Sequence, residues 1–131
     1  MAKNTFINHA PGLSKPKGVW SHVAISEPGT MVFICGVVSV DADGNFVGKG
    51  DMTAQTRQTC ENVKAGVEAA GGTLADVVRV DVYTTNIDEF DAIHAVRREY
   101  FPDNPPVSTM VEVTRLVRPD AWIEINAIAV L

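Results

Sequence analysis

Positive charge is scarce in this sequence and nowhere forms a run. Its 11 Lys and Arg residues are outnumbered by 16 Asp and Glu, giving a net charge of −5. A chain without a basic stripe has no electrostatic footprint for the phosphates of nucleic acid, and none for an anionic membrane surface. Long hydrophobic runs are missing too. No stretch approaches the roughly 20 apolar residues needed to span a bilayer, and the opening MAKNTFINHAPG lacks the apolar centre of a signal peptide. Cysteine is limited to Cys35 and Cys60. They form no Cys-x-x-Cys pair, and neither His9 nor His22 has partners at metal-ligand spacing. This sparing use of cysteine suits a reducing compartment. The expected location is the cytoplasm.

What remains is an ordinary globular composition. With 131 residues, 46% hydrophobic and 21% charged, the chain fits one domain whose core needs no disulfide support. Its most informative stretch is the end, PPVSTMVEVTRLVRPDAWIEINAIAVL. Two strand-like runs, 107–116 and 122–130, are joined by the break VRPDA. In the second run Ile123, Ile125, Ala127 and Ala129 fall on one face, and Trp122, Glu124, Asn126 and Ile128 on the other. The second face mixes a carboxylate and an amide with large apolar groups. A carboxylate in such surroundings is costly unless it is paired or used.

In chain order, residues 4–8 form a short edge strand, and HAPGLSKPKG is a loop punctuated by glycine and proline. Residues 19–26 alternate as a strand, Pro28-Gly29 turns the chain, and 30–40 reads as a central strand. Gly36 within it marks a bulge or a close backbone approach. DADGN is a turn, after which residues 46–49 return briefly. Asp51 caps a helix over 52–70, with Cys60, Val63, Val67 and Ala70 at helical spacing and Gly71-Gly72 as its stop. VVRVDVYT, 77–84, alternates as a strand with Val78, Val80 and Val82 on one face and Arg79, Asp81 and Tyr83 on the other. Asn86 or Asp88 caps a second helix bearing Phe90, Ile93, Ala95, Val96 and Tyr100, and Pro102 ends it.

Strands, helix, strand, helix, strands make an α/β (α+β) domain with a mixed sheet. Two helices cover one face of such a sheet. Nothing is left to cover the other, so a second copy of the chain is the simplest cover, and the expectation is a homo-oligomer that buries the Glu124 face.

Several segments, in order, resemble the Rid (YjgF-like) family of reactive-intermediate deaminases. GVWSHV is similar to its N-terminal G-x-Y-S-x-A segment. MVFICGVVSVDADGNFVG resembles its strand, Ser-Gly-Gln, strand, Asp-Gly-turn segment. The stretch from DMTAQTRQTC to HAVRREYF is similar to its helix–strand–helix centre, and VEVTRL and WIEINAIAVL to its closing strands. The resemblance covers nearly the whole chain. It implies a chorismate-mutase-like fold, two helices on one sheet face, a homotrimer with sites in the clefts between subunits, and neither metal nor cofactor. Family members hydrolyse imines and enamines, releasing ammonia.

Carried over residue by residue, the water-positioning glutamate matches Glu124. The glycine of Ser-Gly-Gln matches Gly36, with Cys35 in place of the serine, and the N-terminal tyrosine matches Trp20. An asparagine often found on the second helix matches His94. The arginine that clamps a substrate carboxylate matches Ser108, followed by Thr109. A serine cannot replace a bidentate guanidinium, so the resemblance points to a C=N substrate other than a simple 2-imino acid. Glu124 would orient or deprotonate water. Trp20, Cys35, Gly36, His94, Ser108 and Thr109 would contact the small-molecule substrate. The rival reading is a non-catalytic trimer that binds a metabolite or regulates a partner. Each residue also has a plain role: an interface salt bridge to Arg115 or Arg118 for Glu124, an interface histidine for His94, a buried structural thiol for Cys35, strand hydrogen bonds for Ser108 and Thr109, and core packing for Trp20.

Overall fold

The computed structural model describes residues 3–131. Strand β1 (Asn4–Ile7) pairs antiparallel with β2 (Val23–Ser26) in a small two-stranded sheet. The main sheet holds β3 (Met31–Val37), β4 (Val77–Thr84), β5 (Val107–Glu112) and β6 (Ile123–Val130), in the order β3-β6-β4-β5. The last strand is therefore central: it runs antiparallel to both β3 and β4. β4 and β5 are parallel and are joined through helix α2 (Phe90–Tyr100), while α1 (Met52–Ala69) links β3 to β4.

The helices begin and end where local chemistry dictates. The Asp51 carboxylate accepts the Ala54 N–H at 3.0 Å and caps α1. At the other end Gly71 takes φ +89°, and Gly72 donates back to the Val67 carbonyl at 3.0 Å. Asn86 caps a single 3-10 turn, Ile87–Glu89, before α2. Both helices lie on one face of the main sheet. Val63, Val67, Val80, Val82, Ile93, Ile123, Ile125 and Ala127 fill the space between, each at most 3% exposed.

Three expectations need correction. Residues 30–40 do not form a central strand: β3 is the outer strand of its sheet and stops at Val37. Its apolar character serves two surfaces. Val32 and Ile34 pack on the core, and Met31 and Phe33 look out from the other face at 56% and 70% exposure. Cys35, expected to be buried, is exposed for the same reason. In β4 a bulge between Val77 and Arg79 puts Val77, not Val78, on the core face opposite Ala129. Finally, residues 46–49 form no returning strand. Phe46 makes one isolated bridge to Val40.

The irregular backbone around the sheet ends is held by buried side-chain amides. Gln55, fully buried on α1, donates to the carbonyls of Gly48 and Asp120, both at 3.1 Å, and accepts the Trp122 N–H at 2.8 Å. Asn62, two turns on, donates to the carbonyls of Val38 and Val40, both at 2.8 Å. Helix α1 thereby fixes the exit from β3 and the entry to β6. Replacing Gln55 with Leu leaves the Asp120 carbonyl and the Trp122 N–H without the amide that serves them, and leaves the Gly48 carbonyl only the Asp51 N–H at 2.9 Å. We expect Gln55→Leu to lower the unfolding free energy by about 2–3 kcal/mol, read as a lower urea midpoint. An unchanged midpoint would show that the amide anchors nothing.

Candidate functional site

On β6, alternation sends Ile123, Ile125 and Ala127 into the core and leaves Glu124, Asn126 and Ile128 half-buried on the open face. Tyr83 pairs with Glu124, and Asp81 pairs with both Asn126 and Thr109, so Thr109 shares this face. Asn126 donates to Asp81 at 3.2 Å, and Arg79 contacts the same carboxylate at 3.2 Å. No Lys or Arg among the described residues pairs with Glu124. Arg118, a suggested partner, instead meets Asp120 at 3.2 Å. The pairing of β3 with β6 slips between Ile34 and Val37, so Cys35 and Gly36 form the expected bulge. The missing side chain at Gly36 makes room for Glu124: a Cβ built there would overlap its carboxylate. This half of the site presents a carboxylate free of any cation, set against bare backbone.

A second cluster lies on the opposite, helix-covered face, at the β5 edge. Phe90, His94 and Arg97 follow one another at i, i+4 and i+7 on α2 and so share a stripe. Trp20 meets Phe90 and His94 edge-on, with ring centroids 6.3 and 5.5 Å apart, and Phe90 leans on His94 at 4.0 Å. Ser108 and Met110 approach from β5. Together with Ile87 they line a half-open cavity of about 320 Å³.

The polar residues lining this cavity, His94, Arg97 and Ser108, offer mostly donors. The Val19 N–H donates to His94 Nδ1 at 2.9 Å. That bond fixes the tautomer, so Nε2 carries the hydrogen, and Nε2 is buried without a partner. Gly18 lets the chain pass this ring, since a Cβ there would sit 2.8 Å from His94 Nδ1. Burial, helped by the cations of Arg97 and Arg98, pushes the imidazole down to about 4. Arg97 is 1% exposed. Its Nη2 donates to the Val19 carbonyl at 2.9 Å and to Ser108 Oγ at 3.0 Å, while Nε and Nη1 have no partner. Burial brings its pKa down to about 10, which leaves it a cation at neutral pH.

The structure therefore divides the seven residues singled out by sequence. Glu124, Gly36, Cys35 and Thr109 go with the open face; Trp20, His94 and Ser108 gather around the cavity. One copy of the chain does not bring the two groups together. Sequence reasoning overlooked Phe90 as a site residue and did not place Arg97, although both stand at helical spacing from His94. Cys60 is core, its thiol pushed up to about 12 by burial. Among the described residues no group of three or more His, Cys, Asp or Glu side chains could hold a metal ion, and no helix is long and apolar enough to cross a membrane.

Comparison with known proteins gives a consistent result. The family model described as Endoribonuclease L-PSP matches residues 9–131. A RutC family protein of Pyrococcus horikoshii is 40% identical over 129 residues, covering 98% of each chain. Among solved structures, the Rid family protein YyfB of Yersinia pestis, described as of unknown function, superposes with a TM-score of 0.88 at 34% identity and covers 98% of each chain. The YjgF gene product of E. coli superposes with a TM-score of 0.72 at 34% identity, covering 95% of this chain and 92% of its own.

The buried imidazole predicts an acid sensitivity. A histidine whose folded pKa of about 4 lies below its ordinary 6.5 contributes full stability above pH 6.5, and that contribution is lost as pH falls towards 4. We expect the melting temperature to drop across this window, and His94→Asn to flatten the drop. An equally steep drop in the variant would assign the effect to other groups.

Proposed function

We propose that this chain, which belongs to the Rid (RutC, YjgF-like) family whose model is described as Endoribonuclease L-PSP, is a small-molecule deaminase adding water to a reactive C=N compound. The mixed α/β fold is that of the YjgF-like structures. The observation that carries the reading is the Glu124 carboxylate, half-buried, without a cation partner and seated against the glycine bulge of β3. A carboxylate so placed can hold a water and accept its proton.

In this mechanism the water oxygen bonds to the imine carbon while Glu124 takes a proton. The C=N electron pair moves to nitrogen, which takes that proton back from Glu124. The resulting carbinolamine collapses: its hydroxyl proton passes by way of Glu124 to the amino group as the C–N bond breaks, and ammonia leaves behind a carbonyl compound. Every atom comes from substrate and water.

The two half-sites lie on opposite faces of one sheet, so the complete site is formed between copies. The glutamate half of one subunit faces the His94 cavity of its neighbour. Exposed Met31, Phe33 and Val111, at 56%, 70% and 42%, give the open face the apolar surface that a permanent interface buries. A closed ring of three, as the family resemblance implies, repeats this contact three times. Ribonuclease activity fits less well. The chain carries a net charge of −5 and so lacks the excess of cations that draws phosphates. Binding without turnover is the second reading, favoured by Ser108 at the position where the resemblance places an arginine.

The direct assay generates imines in place with an amino-acid oxidase, one from alanine and one from phenylalanine, and follows ammonia release. Wild-type protein should accelerate imine decay, and Glu124→Gln should lose about 100-fold or more of that acceleration. Full activity in Glu124→Gln would remove the glutamate from the mechanism. An inert wild type would favour binding without turnover. Mixing provides an independent check of the shared site. Glu124→Gln and His94→Ala subunits, each inactive alone, should recover about a quarter of the sites when unfolded and refolded together as a ring. No recovery would mean that both halves are needed from one copy.

A further inference from the structure

We propose that the cavity beneath α2 is an anion-binding pocket, in which Arg97, reaching in from the helix, takes the carboxylate of a substrate that also carries an apolar or aromatic group. The inference builds on reading this cavity as half of the small-molecule site, and it names what that half holds.

Its basis is a mismatch of donors and acceptors. Three hydrogen-bond donors on residues that line the cavity have no partner: Arg97 Nε, Arg97 Nη1 and His94 Nε2. Each is buried. A guanidinium almost wholly removed from water demands a counter-ion or a full set of acceptors, and this one has neither. Its acceptors are the Val19 carbonyl at 2.9 Å and the Ser108 hydroxyl at 3.0 Å. None of the ion pairs among the described residues involves it. An incoming carboxylate would supply both the missing charge and up to four lone-pair positions. The planar fork of arginine suits that geometry. Ser108, which receives one N–H from Arg97, still has its own hydrogen to donate to the same anion.

The remaining walls select the rest of the ligand. Trp20, Phe90, Ile87 and Met110 are apolar, and the volume of about 320 Å³ lies at the small end of ligand pockets. A carboxylate attached to a ring or branched chain would fill it; a two- or three-carbon acid would leave the aromatic walls bare. A serine at position 108 is thus not simply the loss of a cation. Its hydroxyl accepts from Arg97 at 3.0 Å, so a guanidinium supplied by the neighbouring helix stands beside this position.

Binding can be measured without turnover, so the test stands whatever the imine assay gives. The probes are sodium phenylacetate and its neutral isostere phenylacetamide, titrated into the assembled wild-type protein and followed by Trp fluorescence and calorimetry. Phenylacetate should bind at least tenfold more tightly than the amide and more tightly than acetate. Arg97→Met should lose that preference for the acid, and Arg97→Lys should keep part of it. Equal binding of acid and amide, or an undiminished preference in Arg97→Met, would overturn the proposal, as would no binding of phenylacetate at tens of millimolar. Should Arg97→Met fail to fold, the acid-to-amide ratio on wild-type protein and the Arg97→Lys variant decide the matter. An inactive protein that still binds phenylacetate through Arg97 refutes only the water-addition reading.

Discussion

The last strand is hydrogen-bonded along both edges and covered by helices on one face, so only its other face is free to do chemistry. That constraint shapes the molecule. β6 has to be small and apolar at every second position to fit under α1, which Ile123, Ile125, Ala127 and Ala129 accomplish at 3% exposure or less. The intervening positions are then held between two neighbouring strands, β4 in continuous register from Arg79 to Thr84 and β3 up to its bulge. A glutamate placed there has its backbone fixed by the sheet and its side chain fixed by what lies beside it. The bulge at Cys35–Gly36 supplies the neighbour, a stretch of strand without a side chain, so the carboxylate rests against backbone. Preorganisation of this kind is what a catalytic carboxylate needs and what a flexible loop does not provide.

Helix α1 contributes to the same end from a distance. Gln55 and Asn62 are polar residues on a helix face that otherwise packs against core. Each spends its hydrogen bonds on backbone that leaves or enters the sheet irregularly. Without them the Val40 and Asp120 carbonyls and the Trp122 N–H would lose these side-chain partners, while the Val38 and Gly48 carbonyls would keep only the N–H groups of Val40 and Asp51. Buried amides are tolerated in a core only when fully satisfied, and Gln55 meets that condition with all three of its bonds. The positions of Gly36 and Glu124 are therefore set partly by residues that are not in the site.

Much of this was legible in the sequence. Alternation in β6 placed Glu124 on a face of its own, Asp51 and Gly71 marked the ends of α1, and the glycine in β3 announced the bulge. Other features were hidden for physical reasons. A run such as TMVFICGVV looks like a central strand because it is apolar at consecutive positions, and an outer strand whose open face carries Met31 and Phe33 gives the same pattern. The bulge that swaps Val77 for Val78 leaves no mark, since both are valine. The division of the candidate site between two faces also escaped. Ser108 and Thr109 are neighbours in sequence, and their consequences are opposite: Ser108 joins Arg97 under the helix while Thr109 joins the glutamate face. Strand geometry imposes this on any adjacent pair, so the period of two already separates the two side chains, and a ligand that meets both residue types has to lie between copies.

Arg97 shows how a charge can be concealed in plain view. In sequence it is one of two arginines in the last turn of an amphipathic helix, a place where cations are common because they complement the helix dipole. Helical spacing separates the two: Arg98 stays on the exposed side, and Arg97 falls on the stripe of Phe90 and His94. A guanidinium on that stripe must be desolvated, and desolvation without a counter-ion destabilises the fold by several kcal/mol. A methionine there would fill the same space without that cost. Neither the packing of Trp20 and Phe90 nor the bond to Val19 requires a positive charge, and the neutral His94 beside it offers another donor instead of an acceptor. The buried charge makes physical sense if the folded protein is only part of the system, and the missing acceptors arrive with a ligand.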